Sequence, residues 1–210
     1  MNPLAIIDYG MGNLLSVQKA LARLGYPAEI TADPAVVAAA PGVILPGVGA
    51  FGDAMASLQQ RGLVAAIRDV VGRGVPFLGI CLGLQLLFSI SEEGGAVAGL
   101  DLLAGEVRRL PAGLKVPHMG WNQVQLLQPG DLFRGIPQGT NFYFVHSYYV
   151  EPTDRSVVTG TTEYGLSFAA SVQQGNLFGV QFHPEKSSRW GLEVLKNFGE
   201  LVRNVDTARH

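Results

Sequence analysis

Apolar residues recur along the first ninety positions in two alternating textures. Short unbroken runs, Leu4-Ala5-Ile6-Ile7, Val43-Ile44-Leu45 and Val75-Pro76-Phe77-Leu78-Gly79-Ile80, read as buried strands, with Pro27-Ala28-Glu29-Ile30 as a further short one. Between them, Leu14, Val17, Leu21 and Leu24 recur at three- and four-residue spacing, which predicts an amphipathic helix that stops at Gly25, with Pro27 just beyond. Two more helical pieces are predicted between Phe51 and Val71, and another beginning in Leu84-Gln85-Leu86-Leu87-Phe88. Strand and helix alternating in this way argue for a parallel sheet covered by helices.

After Arg108 the texture changes. Aromatic and β-branched stretches separated by Gly, Pro and Asn, such as Asn141-Phe142-Tyr143-Phe144-Val145-His146, predict antiparallel strands added to the parallel core. From about Trp190 a last helix places Trp190, Val194, Phe198 and Val202 on one stripe. There is no internal repeat, low-complexity tract or linker, so the 210 residues are expected to form one α/β domain spanning 1–210.

Composition narrows the chemistry. Hydrophobic residues make up 48% and charged residues 15% of the chain, which suits an interior-rich globule and leaves room for an apolar surface reserved for a partner. A formal charge of −2 without blocks of like charge gives no reason to expect nucleic acid or an anionic membrane as a ligand. One cysteine cannot form an internal disulfide, and four scattered histidines without a second thiol make no zinc spacing, so no metal is expected and a reducing compartment fits. The run Leu4–Ile7 lacks a basic flank and ends at Asp8, which is too short for a signal peptide or a membrane span; the expected location is the cytosol.

That single cysteine, Cys81, falls on the turn between a strand and a helix, with Gly79 and Gly83 two residues to either side. This is the small-residue pattern of a nucleophile elbow, in which larger side chains would collide with the tight turn. A helix N-terminus favours a thiolate, the reactive form, and the Leu82 N–H would point where an oxyanion forms. A small, buried, inert cysteine explains the same stretch, so it leaves both alternatives open.

A nucleophile needs a base. His183 sits where an apolar run meets His183-Pro184-Glu185; proline keeps the preceding residue extended, which would let Glu185 reach the ring and fix its tautomer. The bland alternative is a strand-end surface pair. His118 and His146 have no carboxylate at comparable spacing and read as structural, and His210 is set aside at the chain end. Pro46-Gly47-Val48-Gly49 follows another strand and could supply further amide donors at the same sheet edge.

Taken in order, PGVG, GICLGLQ and VQFHPEKS resemble the class I (triad) glutamine amidotransferases, over nearly the whole chain. The resemblance implies a doubly wound α/β glutaminase with Cys81 as nucleophile, His183 as base and Glu185 as its orienter. IDYGMGN, PHMGWN and FVHSYY are similar to the branch that forms the glutaminase subunit of imidazole glycerol phosphate synthase. For that branch the resemblance implies oxyanion amides from Val48 and Leu82, and L-glutamine held by Gly47, Gly49, Gln85 and the backbone of Ser147 and Tyr148. Glycines on both sides of Val48 would permit a peptide flip that presents its amide.

The same resemblance implies no cofactor and a (β/α)8 cyclase partner in a heterodimer, receiving ammonia through an internal channel, with Asn13, Trp121 and Asn122 near the interface. Core packing is an equal account of Trp121. No GxxxxGK[ST] phosphate loop occurs, so the ammonia is expected to be used elsewhere. The glutaminase components of anthranilate and aminodeoxychorismate synthases share the triad but generally lack PHMGWN. A non-catalytic subunit that kept the fold is the rival from another class, and the intact triad argues against it.

Overall fold

The computed structural model describes residues 2–128 and 130–208, and His210 therefore lies outside the described residues. Its first half is β1 (Leu4–Ile7), α1 (Leu14–Arg23), β2 (Ala28–Thr31), α2 (Pro34–Ala39), β3 (Val43–Gly47), α3 (Phe51–Gln60), α4 (Leu63–Gly72), β4 (Phe77–Cys81) and α5 (Leu82–Leu86). Eight further strands follow: β5 (Phe88–Ser91), β6 (Val97–Ala98), β7 (Leu103–Arg109), β8 (His118–Leu126), β9 (Thr140–His146), β10 (Tyr148–Pro152), β11 (Val158–Glu163) and β12 (Ser167–Gln174). Then β13 (Leu177–Val180) and α6 (Ser188–Ala208) close the chain.

Nine strands form one sheet in the order β2-β1-β3-β4-β13-β12-β11-β8-β9. The pairs from β2 to β13 are parallel and the rest antiparallel. The alternation in the first half thus becomes the expected parallel core. Its strands read as unbroken apolar runs because both faces are covered. Ala5, Ile7 and Leu45 join a core with Val37, Phe51, Leu58, Ile67 and Leu84, from α2 to α5. Leu4, Ile6, Ile44 and Ile80 join the opposite core with Val17 and Leu21 of α1 and Val194 and Phe198 of α6.

Three elements depart from the sequence reading. β13 is not one of the antiparallel additions: it lies parallel to β4, register Val180 to Ile80, and links the core to the antiparallel half. α2 is a six-residue helix that was not anticipated, although its start is explicit: Asp33 Oδ1 accepts from Ala35 N–H and Pro34 takes the first helical position. The LGLQLLF segment is helical only from Leu82 to Leu86, and Phe88 already begins a strand. That strand belongs to a second sheet, β10-β7-β5-β6, which packs Phe88, Leu103, Val107 and Val150 into the same core as α3 to α5.

Candidate active site

Three strand ends meet at one edge. β3, β4 and β13 are neighbours, with Gly47 opposite Cys81 and Val180 opposite Ile80, so all three motifs emerge side by side at the C-terminal edge of the sheet. This is where ligands bind in open α/β sheets.

Cys81 has φ 55° and ψ −108°, a conformation that L residues rarely adopt. The elbow requires close approach of α5 to the sheet. A Cβ on Gly83 would lie 1.7 Å from the Leu45 carbonyl oxygen, and one on Gly79 would lie 2.7 Å from the Gly83 oxygen. Both glycines are thus explained by contact with backbone, which cannot yield. Five residues of helix carry little macrodipole, so what α5 offers the sulfur is the unpaired amide of its first residue, Leu82.

Cys81 lines a cavity of about 290 Å³ together with Val48, Gly49, Leu82, Gln85, Glu93, Ser147 and Tyr148. That is the size class of a small metabolite. Gly47 is not among the lining residues; it packs beneath, where a Cβ would sit 2.2 Å from the Tyr9 hydroxyl. The Tyr9 hydroxyl in turn donates to the Pro46 carbonyl at 3.0 Å and so ties the IDYGMGN stretch to the PGVG strand. Val48 is 43% exposed and Gly49 has φ 105°.

His183 lies behind the sulfur. Its Nδ1 pairs with Glu185 Oε1 at 2.9 Å, and the two side chains are only 3% and 1% exposed, so the pair is not a surface ornament. The geometry differs from the extended arrangement read from the proline: Pro184–Lys186 is a turn of 3₁₀ helix, with His183 extended just before it. The Ser187 hydroxyl donates to the His183 carbonyl at 2.6 Å and accepts from Tyr143 N–H at 2.9 Å, clamping that turn to β9.

His183 Nε2 is buried without a hydrogen bond of normal geometry. Burial alone would push its imidazolium down, but Cys81 and Glu185 outweigh it and raise the pKa to about 10. An imidazolium held between a sulfur and a carboxylate is a proton donor poised beside the nucleophile. Tyr9 is pushed above the usual tyrosine range by burial, with the charge of Cys81 adding to it.

Gln85 is buried; its Nε2 donates to the Tyr148 carbonyl at 2.9 Å and to Gln181 Oε1 at 3.2 Å. Gln181, fully buried, places its own Nε2 3.6 Å from Cys81 Sγ. His146 and His118, each read from sequence as structural, pair with one another, His118 Nδ1 to His146 Nε2 at 2.9 Å, with His146 Nδ1 donating to the Tyr148 carbonyl at 2.8 Å. The Tyr148 carbonyl is therefore already taken by two donors, leaving amides and side chains on this segment for a ligand.

Of the remaining sites, Asn13 caps α1 without a side-chain hydrogen bond. Trp121 is 55% exposed, which removes core packing as its explanation. Asn122 Nδ2 donates to the Glu163 carbonyl at 2.9 Å and lies 3.3 Å from His118 Nε2. Tyr9, Glu93, Gln181 and Ser187 were not singled out from sequence; a glutamine inside the apolar run GVQF is the one signal that could have drawn attention to Gln181. Among the described residues no cluster of three His, Cys, Asp or Glu could hold a metal ion, and no helix is long and apolar enough to cross a membrane.

Comparison with known proteins matches residues 5–201 to the family model for class-I glutamine amidotransferases. The chain is 79% identical over 210 residues, all of both chains, to the imidazole glycerol phosphate synthase subunit HisH of Moorella thermoacetica. It is 53% identical over 204 residues to the subunit of the same name from Desulfitobacterium hafniense strain Y51, covering 97% of each. Among solved structures, a glutamine amidotransferase superposes with TM-score 0.76 at 19% identity, over 96% of this chain and 100% of that one. PurLQS from Thermotoga maritima gives 0.74 at 20%, over 97% and 99%.

Proposed function

Because the chain belongs to the class I glutamine amidotransferases, we propose that it hydrolyses L-glutamine at Cys81 and passes the ammonia to a cyclase subunit. It is the glutaminase subunit of imidazole glycerol phosphate synthase, in histidine biosynthesis. The observation that carries the site assignment is the strained elbow cysteine facing a buried His183–Glu185 pair.

In this reading the Cys81 sulfur attacks the side-chain carboxamide carbon of glutamine. Negative charge moves to the carboxamide oxygen, opposite the amides of Val48 and Leu82. The His183 imidazolium gives its proton to the departing nitrogen, the C–N bond breaks, and ammonia leaves a γ-glutamyl thioester. Neutral His183 then takes a proton from water, whose oxygen attacks the thioester carbon. The C–S bond breaks, glutamate departs, and the sulfur and imidazolium are restored. Glu185 keeps the ring in the tautomer that points Nε2 at the sulfur. Glu93, a carboxylate on the cavity wall, suits the α-ammonium of the substrate.

The partner in this reading is a (β/α)8 cyclase subunit, and the compartment is the cytoplasm. The exposure of Trp121 and Met119 on β8, and of Val48 and Leu15 at the same end of the sheet's connections, supports a face that a partner covers. The deciding experiment assays the complex of both subunits. Cys81→Ala should abolish glutamine-dependent synthesis and leave synthesis from added ammonium salts intact; loss of both would make Cys81 a structural residue.

A further inference from the structure

The orientation of one amide can be deduced outward from a backbone carbonyl. A carbonyl only accepts, so the Gln85 atom 2.9 Å from the Tyr148 oxygen must be its NH₂. The same NH₂ lies 3.2 Å from Gln181, whose facing atom must then be the oxygen. The remaining group of Gln181, its NH₂, is left pointing at Cys81 Sγ at 3.6 Å. No free choice of amide flip survives this sequence of contacts. The far side of the Tyr148 carbonyl is pinned in the same way by His146 Nδ1, so the anchor itself is held.

We propose that Gln181 is a positioning residue for the hydrolysis: it donates to the Cys81 sulfur throughout the cycle and is held in that orientation by Gln85. The proposal rests on the reading of Cys81 as the nucleophile. Its chemical sense lies in what His183 cannot do. His183 loses its proton to the departing nitrogen and regains it only as water attacks, whereas a carboxamide donor is present at every stage. When the thioester collapses, the sulfur leaves as an anion, and an N–H already aimed at it stabilises that leaving group. Gln181 is 0% exposed and has no route to bulk water, so its N–H has no competing acceptor there. The titratable groups around the sulfur are His183, backed by Glu185, and Tyr9, with Glu93 and His146 on the walls of the same cavity.

Because Cys81 is the only cysteine, its reactivity can be read without ambiguity in the full-length chain. Iodoacetamide alkylation, followed by mass from about pH 5 to about pH 10, would be compared for the natural chain and Gln181→Met, with folding checked by circular dichroism. The expected result is a rise in the alkylation midpoint of about one pH unit. In the complex with the cyclase subunit, kcat should fall about tenfold with KM changed by less than about twofold. A folded variant with an unmoved midpoint and kcat would overturn the proposal, and so would a raised KM at unchanged kcat, which marks a substrate contact. Should Gln181→Met fail to fold, the isosteric Gln181→Glu carries the test: a carboxylate beside the sulfur should move the midpoint up further, and an unmoved midpoint refutes. If the natural chain shows no alkylation at any pH, the nucleophile reading itself falls, and the proposal with it.

Discussion

The backbone at Cys81 lends itself to a measurement that separates strain from sulfur. Replacing Cys81 by Ala or by Gly removes the thiol in both variants, and only Gly removes the Cβ that makes φ 55°, ψ −108° costly. A non-glycine residue in such a region is strained by about 1–3 kcal/mol, and this ψ lies far from the left-handed helical well, which places the cost toward the upper end. Against that, Gly loses about 0.4–1 kcal/mol relative to Ala through the freedom of the unfolded chain, and the buried methyl is worth about 0.8 kcal/mol. The net expectation is that Cys81→Gly is more stable than Cys81→Ala by about 1 kcal/mol, or about 2–4 °C in Tm for a chain of this size. Urea denaturation and thermal melts of the two variants side by side give the difference directly. If the glycine variant is equal to or less stable than the alanine one, the elbow is not strained in solution and the argument for a presented thiol loses its mechanical basis.

Further outcomes follow from other parts of the molecule. His146 is held near pKa 3 mainly by burial, so it is neutral when folded and protonated below about pH 6.5 when unfolded; its contribution is complete above that pH and is lost as pH falls toward 3. From about pH 6.5 to about pH 4.5 the loss should approach 2–3 kcal/mol, and His146→Gln, which keeps a donor and an acceptor, should flatten it; equal pH dependence in the two chains would refute the assignment. His183 has the opposite sign, since its raised pKa gives stability that is full below about pH 6.5 and lost as pH rises through about 10. Glu185→Gln should lower the pH at which the His183 ring titrates by NMR, and an unmoved titration would remove Glu185 as a cause. Gly83→Ala should cost about 2–4 kcal/mol in urea because its Cβ meets the Leu45 carbonyl; Gly52→Ala, in α3 with nothing within 4 Å of the new Cβ, is the unclashed control and should gain about 0.4–1 kcal/mol.

What was legible in the sequence was whatever repeats or punctuates. The spacing of Leu14, Val17 and Leu21 and the runs at Leu4 and Val43 led directly to the parallel core, because both-face burial leaves a continuous apolar signal. Cys81, His183 and Glu185 were found from residue types at fixed offsets. What escaped was set by pairing partners far along the chain. β13 looks locally like any other aromatic strand, and only its neighbour β4 makes it parallel. The second sheet depends on strands of two to seven residues whose partners are up to 47 positions apart, Gly105 to Pro152. Gln181 and Glu93 escaped because a polar side chain acquires meaning from what surrounds it in space. Gly47 was assigned to the substrate by its motif, and only the structure shows that a Cβ there would meet the Tyr9 hydroxyl.

One residue, Ser147, separates the last position of β9 in the large sheet from the first of β10 in the small one. The cavity therefore straddles a seam: Cys81 and its histidine ride on one sheet, while Tyr148, on the far wall, rides on the other. A small shear between the sheets would widen or narrow the berth for the substrate and, through the Tyr148 carbonyl, would also reach Gln85 and Gln181, while Cys81 and His183 stay together on the large sheet. Substitutions buried in the small sheet, such as Val107→Ala or Val150→Ala, are accordingly expected to register in KM and, through the contacts from Tyr148 to Gln85 and Gln181, in kcat as well, so that affinity and chemistry are tied together across the seam.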